Sequence, residues 1–579
     1  MRTRRGRIRI SFAVMLVFAL VGLFIVRLVD LQIVRADDLN AQSHDKRGQS
    51  QVVYGVRGNI VDESGAVLAD SVLRYDITAS PRVAFLGQNS GGATDSVMSD
   101  LARIAAITGQ QPEALMATMS ADASSDFVYL TKRVTLDTFE KIDALGIAWL
   151  YSERRPSRSY PNGQVAGNLV GFLNTDGPGA GLELSADSCL AGTNGSATYE
   201  RAEDGTQLPG SVVTTQPAKD GGRLRLTIDR DLQFAVQQRI GQAALDLGAT
   251  WATAVVVRVT DGHLMAVADW PTIDPNNVDG APRDALGSRA FSTPYEPGST
   301  MKALTAASLV DSGKATPATG VVAPYSLLQP DGSSIHDAFY HNTENLTLAG
   351  ALVESSNTAI AQFATLLPAQ TRRDYMTRFG LGDYTEVGFT GESTGTVRPA
   401  DQWDPRTTLT VQFGQGMTAT SVQMASVFQT IGNGGLRMPV TLVEGCEWPD
   451  GSVTDQPSTT GRQVISASAA GQTIAMMEQV ANKSGSAPKL QIAGYRTAVK
   501  SGTAEVVQNG AYTNNVVISY AGVAPADNPQ YAVVVTAGIP DSVYSGLIAP
   551  TWRDVMAQTL TTFRVSPSTA PAPDLPVNW

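Results

Sequence analysis

Sixteen consecutive uncharged residues, Ser11 to Val26, follow five arginines (Arg2, Arg4, Arg5, Arg7, Arg9) crowded into the first nine positions. The run extends through Leu28 and Val29 if the Arg27 stem snorkels to the far interface, so residues 11–29 are long enough to span a bilayer as one helix. A basic flank belongs on the cytoplasmic side, which makes residues 1–10 a cytoplasmic tail and sends everything after about residue 30 to the outer face. Arg27-Leu28-Val29-Asp30 offers no small-x-small cleavage site, and the segment reads as a retained signal anchor. The rest of the chain is then expected to fold outside the cell.

A chain of 579 residues exceeds what one core organises, and two extracytoplasmic folding units of unequal size are expected. The formal net charge is −11, so the residues beyond the arginine cluster carry −11 − 5 = −16, which argues against nucleic acid as a partner. Cys189 and Cys446 fall in different expected domains and read as two isolated small core residues, with a bridge between them left open. The four histidines, His44, His263, His336 and His341, form no cluster with cysteine, and His336 and His341 stand five apart, off any helical ligand spacing. Neither metal nor cofactor is expected.

From about Gln51 to Pro217 the chain is broken by Gly, Pro and Asn, with strand-like pieces at Gln51–Tyr54 and Asp126–Leu130 and a helical stretch near Ser96–Ile107. It reads as an irregular α+β module. The turn-rich Gln216-Pro217-Ala218-Lys219-Asp220-Gly221-Gly222 closes it. A helix from about Asp231 to Leu247 follows, then strands Ala252–Val259 and His263–Asp269 joined by an Asp-Gly turn. Further helices are expected near Leu346–Leu367 and Ser421–Ile431, three antiparallel strands at Tyr495–Val507, Asn515–Ala524 and Gln530–Ala537, and a closing helix at Thr551–Phe563. The Pro-rich residues 566–579 are expected to be disordered.

The chemistry is concentrated in a few polar residues. Ser299 and Lys302, in Glu296-Pro297-Gly298-Ser299-Thr300-Met301-Lys302, open a helical run and share a face at i and i+3. A serine hydroxyl needs a base to become a nucleophile, and a desolvated lysine one turn away supplies one. The four-residue pattern alone is weak: it recurs at Ser43–Lys46 and Ser486–Lys489 in a chain with only nine lysines. Ser43 lies just past the anchor, and Pro488 is expected to disfavour a helix holding Ser486 and Lys489 together.

Downstream come Ser355-Ser356-Asn357 and Lys500-Ser501-Gly502-Thr503, the latter on an expected strand. A second Lys-Ser-Gly, at Lys483–Gly485, falls in a Gly/Ser/Pro-rich loop. The roles are complementary. Ser299 attacks an acyl carbonyl, Lys302 accepts its proton, and Ser355 relays that proton to the leaving nitrogen. Asn357 holds Lys302 and the substrate amide. Lys500 lowers the Lys302 pKa and, with the hydroxyls of Ser501 and Thr503, recognises a substrate carboxylate. The N–H groups of Ser299 and Thr503 form an oxyanion hole.

With these motifs in order, the chain resembles the penicillin-recognising serine acyltransferases, and among them the class B penicillin-binding proteins. Arg57-Gly58-Asn59-Ile60-Val61-Asp62-Glu63-Ser64-Gly65-Ala66-Val67-Leu68-Ala69 is similar to the opening of their pedestal domain, with Glu63 in place of the usual arginine. Arg158-Ser159-Tyr160-Pro161 and Gly181-Leu182-Glu183 resemble later pedestal signatures, and Leu226-Thr227-Ile228-Asp229 the entry of the transpeptidase domain. Ser501 stands where threonine is commoner, which keeps the hydroxyl.

The resemblance implies an α+β chain: a transmembrane helix, a β-rich pedestal (dimerisation) domain over residues 45–217, and a β-lactamase-like transpeptidase domain over residues 222–565, with an antiparallel sheet flanked by helices. It implies a D,D-transpeptidase that cross-links peptidoglycan stem peptides through an acyl-enzyme on Ser299, binds β-lactams, and works at the septum with a polytopic peptidoglycan polymerase and other division proteins. Gly414-Gln415-Gly416-Met417-Thr418 and the pedestal segments look closer to the septal, FtsI-type branch than to the elongation branch. Two other readings are a serine β-lactamase, against which no Glu-x-x-Asn occurs between Asn357 and Lys500, and a division scaffold whose acyltransferase activity is secondary.

Overall fold

Strands Trp251–Arg258 and Leu264–Trp270 form the hairpin expected from the Asp261-Gly262 turn, and they seed the sheet on which the site is built. In the computed structural model this sheet has five antiparallel strands, in the order Leu264–Trp270, Trp251–Arg258, Tyr531–Ile539, Ala511–Ala524, Ala498–Gln508. Two come from the start of the domain and three from its end, with helices inserted between. The strand Tyr531–Ile539 is buried at every position, so its Val-rich sequence packs on both faces. The helix Ala549–Thr562 packs against it, and the helix Arg230–Leu247 packs on the neighbouring strands Trp251–Arg258 and Leu264–Trp270, capped by the Asp229 side chain on the Leu232 N–H at 2.7 Å.

The structure describes residues 2–36, 48–86, 93–174, 176–200, 210–329, 332–508, 510–541 and 545–579. The Ser43–Lys46 pattern lies outside them. The described chain divides into two compact units. One, residues 1–56 and 192–221, holds the helix Arg2–Val29, continued as a π-helical turn over Asp30–Val34, and a three-stranded antiparallel sheet of Gly48–Val53, Gly195–Glu200 and Val213–Gln216. Its segment Phe12–Val34 is long and apolar enough to cross a membrane, and none of that window is buried.

The other unit, residues 57–191 and 222–579, contains the five-stranded sheet and the pedestal signatures. Three of these signatures meet in one ion cluster, through Arg57, Arg158 and Glu183. Glu183 has no exposed surface and takes Arg57 at 2.7 Å and Arg158 at 2.6 Å, while Arg57 also reaches Asp187 at 2.5 Å. Glu63 sits 3.9 Å from Arg258, so its carboxylate has a basic neighbour. Strand Arg223–Leu226 runs parallel to Ile60–Val61 and antiparallel to Val443–Glu447, so one sheet carries chain from both expected domains. This region is more regular than expected: Val67–Ala79 pairs from Asp70 onward with Leu150–Ser159, and helices Pro112–Ser120 and Leu136–Asp143 join Ala93–Thr108.

Four expectations are corrected. Cys189 and Cys446 are bridged rather than isolated, joining residues 257 apart in sequence, and both are buried. Residues 566–579 are ordered: Ser568 bonds Gly494 and Asp527, Lys483 pairs with Asp574 at 2.5 Å, and Thr347 Oγ1 donates to Pro576 O at 2.6 Å. Their prolines leave main-chain carbonyls free, and side chains and amides of the domain satisfy these groups in place of regular structure. Trp579 then lies on Gly320, where no side chain could fit beneath the indole. The expected helix Leu346–Leu367 is two helices, Leu348–Val353 and Asn357–Ala364, with the break at Ser355–Ser356. Pro488 does not prevent a helical turn over Ala487–Leu490, since proline lacks only an N–H that the first turn would leave unpaired.

Candidate active site

Glycines set the floor of the site. Gly298, at φ +57°, would place a Cβ 2.5 Å from Thr503 O, a Cβ on Gly414 would collide with the Gly298 main chain, and one on Gly502 would lie 2.6 Å from Pro297 O. Without side chains, the turn Gly298–Thr300, the 414 segment and the strand Ala498–Gln508 approach one another by their backbones. Ser299 stands half-buried on that turn, directly before the helix Met301–Asp311, and Thr503 is the strand residue beside it.

Lys302, on the first turn of that helix, has no exposed surface. Its Nζ donates to Asn357 Oδ1 at 2.7 Å, to the Ser355 carbonyl, and to Ser355 Oγ at 3.4 Å. Burial first, and the charge of Lys500 second, push its pKa well below the ordinary lysine value, against the opposing pull of Asp337. Lys500, equally buried, donates to Ser355 Oγ at 2.9 Å and to Ser501 Oγ at 3.4 Å, and burial pulls its pKa down to about 7. The two lysine Nζ atoms therefore converge on one hydroxyl, that of Ser355. Among the described residues no hydrogen bond joins the Ser299 hydroxyl to Lys302. Such bonds are often long without substrate.

Ser355 owes its place to the helix break. It adopts φ +55°, a left-handed conformation uncommon outside glycine, and Ser356 then caps the helix Asn357–Ala364 by accepting the Ala359 N–H at 3.0 Å. A continuous helix would carry Ser355 past the lysines.

The cleft that collects these groups has a volume of about 420 Å³ and is lined by Ser299, Ser355, Asn357, Ser501 and Thr503, with Phe339 and Tyr340 exposed at its rim. All eight residues proposed from the sequence thus lie on three neighbouring elements: Ser299 and Lys302 on one, Ser355 and Asn357 on the second, Lys500, Ser501, Gly502 and Thr503 on the third. Sequence reasoning missed Asp337, which accepts hydrogen bonds from Ser356, Asn357 and Thr358. It sits in a short polar stretch whose only signal was its neighbour Ile335, buried in the core.

Two protein families match this chain. The penicillin-binding protein transpeptidase domain family matches residues 252–557, and the penicillin-binding protein dimerisation domain family matches residues 52–178. Penicillin-binding protein PbpB of Mycolicibacterium smegmatis is 32% identical over 99% of this chain and 92% of its own. Peptidoglycan D,D-transpeptidase FtsI of Escherichia coli is 31% identical over 93% of this chain and 89% of its own. The crystal structure of penicillin-binding protein 3 from Mycobacterium tuberculosis, complexed with aztreonam, superposes with a TM-score of 0.70 at 27% identity, covering 91% of this chain and all of the other. The chain belongs to the class B penicillin-binding proteins, with a dimerisation domain followed by a transpeptidase domain.

Proposed function

We propose that this chain cross-links peptidoglycan stem peptides as a septal D,D-transpeptidase and is a target of β-lactams. The observation that carries the reading is a fully buried lysine, its pKa driven well down, one helical turn from a serine at the floor of an open cleft. The relatives named PbpB and FtsI support it, as does the aztreonam complex of the M. tuberculosis protein.

In the first half-reaction the Ser299 hydroxyl attacks the penultimate D-alanine carbonyl of a donor stem. The new ester forms as the D-Ala-D-Ala amide breaks. The Ser299 proton passes to Lys302 and, through Ser355, to the departing nitrogen, so D-alanine leaves as the amine. Asn357 orients Lys302 and the donor amide. Lys500, with Ser501 and Thr503, receives the terminal carboxylate, Gly502 lets the strand approach, and the N–H groups of Ser299 and Thr503 hold the oxyanion. The amine of a neighbouring stem then attacks the ester carbonyl, forming the cross-link amide as the ester bond breaks, and its proton passes through Lys302 to the Ser299 oxygen.

The helix ending at Val29 anchors the chain with residues 1–10 inside and the catalytic domain outside. Two observations favour that orientation: the five arginines before the apolar run, and a disulfide in the unit that holds the site. We assign residues 45–217 to the pedestal and 222–565 to the transpeptidase domain, and a polytopic peptidoglycan polymerase with other division proteins as membrane partners. Labelling the full chain with a fluorescent penicillin, followed by peptide mapping, is expected to give one stable adduct, on Ser299, absent from Ser299→Ala. An adduct elsewhere would overturn the site, and rapid turnover of the label would mark a hydrolase instead.

A further inference from the structure

The residues that follow Ser355 hang on one carboxylate that belongs to none of the sequence motifs. Asp337 lies just beyond the short strand Ser334–His336 and is 6% exposed. Its Oδ1 accepts the main-chain N–H groups of Asn357 and of Thr358, the latter at 3.0 Å. Its Oδ2 accepts the Ser356 hydroxyl at 2.7 Å and is 2.9 Å from His341 Nε2, with the Thr358 hydroxyl at 3.4 Å. Three of these donors belong to the first turn of the helix Asn357–Ala364, the end whose dipole favours a negative charge.

The preceding residue completes the hold. The His336 carbonyl accepts Asn357 Nδ2 at 3.0 Å, which leaves Asn357 Oδ1 turned to Lys302 Nζ at 2.7 Å. His336 and Asp337 thus fix the main chain and the side chain of Asn357 together. Ser355, in its left-handed conformation, is pinned on one side by Ser356 N–H on Ala351 O at 3.0 Å and on the other by the Asp337 cluster. A backbone conformation of this kind persists only where its surroundings over-determine it. Asp337 supplies much of that determination.

The carboxylate also acts at a distance. Lys302 faces three groups that set its charge preference: Lys500, the Phe413 ring at 5.9 Å, and Asp337, the one anion among them. On the far side of Asp337, His341 faces Asp337 itself, Glu344 at 4.0 Å, Glu354 and the Tyr325 ring. Burial works to lower the His341 pKa, but its bonds to Asn342 O and Asp337, together with the two nearby carboxylates, outweigh it and hold the ring above its ordinary value.

We propose that Asp337 is a positioning residue of the acylation step, holding the Ser355–Asn357 turn against Lys302 and setting the electrostatic environment in which Lys302 takes the Ser299 proton, with His341 as its outer brace. This rests on the reading of Lys302 as the base for Ser299. A carboxylate lost from such a network takes the acceptor from two main-chain amides and two hydroxyls, so acylation by Asp337→Ala should slow by about 10- to 100-fold. Asp337→Asn keeps the shape and one acceptor oxygen but removes the charge. Lys302 then loses its proton more readily, and the rising acidic limb of the pH–rate profile should move to lower pH by about half a unit or more.

The test is the second-order rate of acylation of the full chain in detergent by a fluorescent penicillin, measured against pH for wild type, D337N, D337A, H341Q and H341A, with the thermal midpoint of each as a check of folding. A slowed D337N whose limb has moved down, and an H341Q faster than H341A because glutamine restores the N–H toward Asp337, support the proposal. A D337N of wild-type rate overturns it, and so does a slowed D337N with an unmoved limb, which would leave Asp337 a structural cap only. If D337A does not fold, D337N decides alone. A wild type without any rising limb would instead overturn the role of Lys302, a failure distinguishable from that of Asp337.

Discussion

Lys302 and Lys500 both lack any exposed surface, and both reach the hydroxyl of Ser355. Burying two lysines side by side opposes folding, and the cost of Lys500 can be given a direction with pH. Its pKa falls from the ordinary lysine value to about 7, so the penalty is complete below pH 7 and disappears as pH rises toward the unfolded value of about 10.4. Lys500→Met is therefore expected to raise the thermal midpoint while abolishing penicillin labelling. The gain, at most roughly 5 kcal/mol below pH 7, should shrink steadily in melts recorded at higher pH. The same titration should shape the reaction. In the free enzyme, acylation by a carboxylate-bearing β-lactam should decline as pH passes about 7 and Lys500 loses its charge, whereas an uncharged ester of that β-lactam should show no such decline. These two lysines were legible in the sequence because lysine is scarce in this chain and each stands in an ordered set of motifs. Asp337 was not, because aspartate is common and nothing local marks a carboxylate that serves a turn 20 residues away.

At the scale of elements, most helices and strands follow from their patterns, and the differences have identifiable causes. Residues 346–367 carry an unbroken apolar periodicity, yet Ser355 interrupts the helix because Asp337 and two lysines bind its turn from other parts of the chain. Local sequence cannot register partners that tertiary structure brings in. The same holds for the C-terminal strap: its composition is that of a disordered tail, and its order comes from contacts with Gln479, Thr347 and Asp527. The strand Ala498–Gln508 illustrates how close the elements lie. A Cβ at Gly502 would meet Pro297 O at 2.6 Å and Ser519 Oγ at 2.5 Å, so Gly502→Ala must push the Lys500 strand away from the Ser299 turn. Such a displacement, of the order of an ångström, should slow acylation by about 100-fold. Labelling kinetics beside an unchanged circular dichroism spectrum would check it.

Across the whole molecule, the Cys189–Cys446 bridge ties the short helix Asp187–Leu190 to the strand Val443–Glu447, within the sheet that also holds Ile60–Val61. Two cysteines in separate expected domains gave the sequence no means of revealing this sheet, which pairs strands more than 200 residues apart. In a chain-entropy account a loop of this length contributes on the order of 5–6 kcal/mol. Peptide mapping without reductant should recover the linked pair, and Cys189→Ala with Cys446→Ala should lower the thermal midpoint while leaving the Ser299 adduct intact. The glycine floor, by contrast, bears on how the protein can change over generations. At Gly298 and Gly414 any side chain would strike main chain, and at Gly502 it would strike Pro297 O, whereas Phe339 and Tyr340 at the rim stand largely exposed. A lineage under antibiotic pressure has almost no viable substitutions at the base of the cleft. Escape from capture should therefore accumulate in the rim residues, where altered shape does not displace the serine that the cell wall needs.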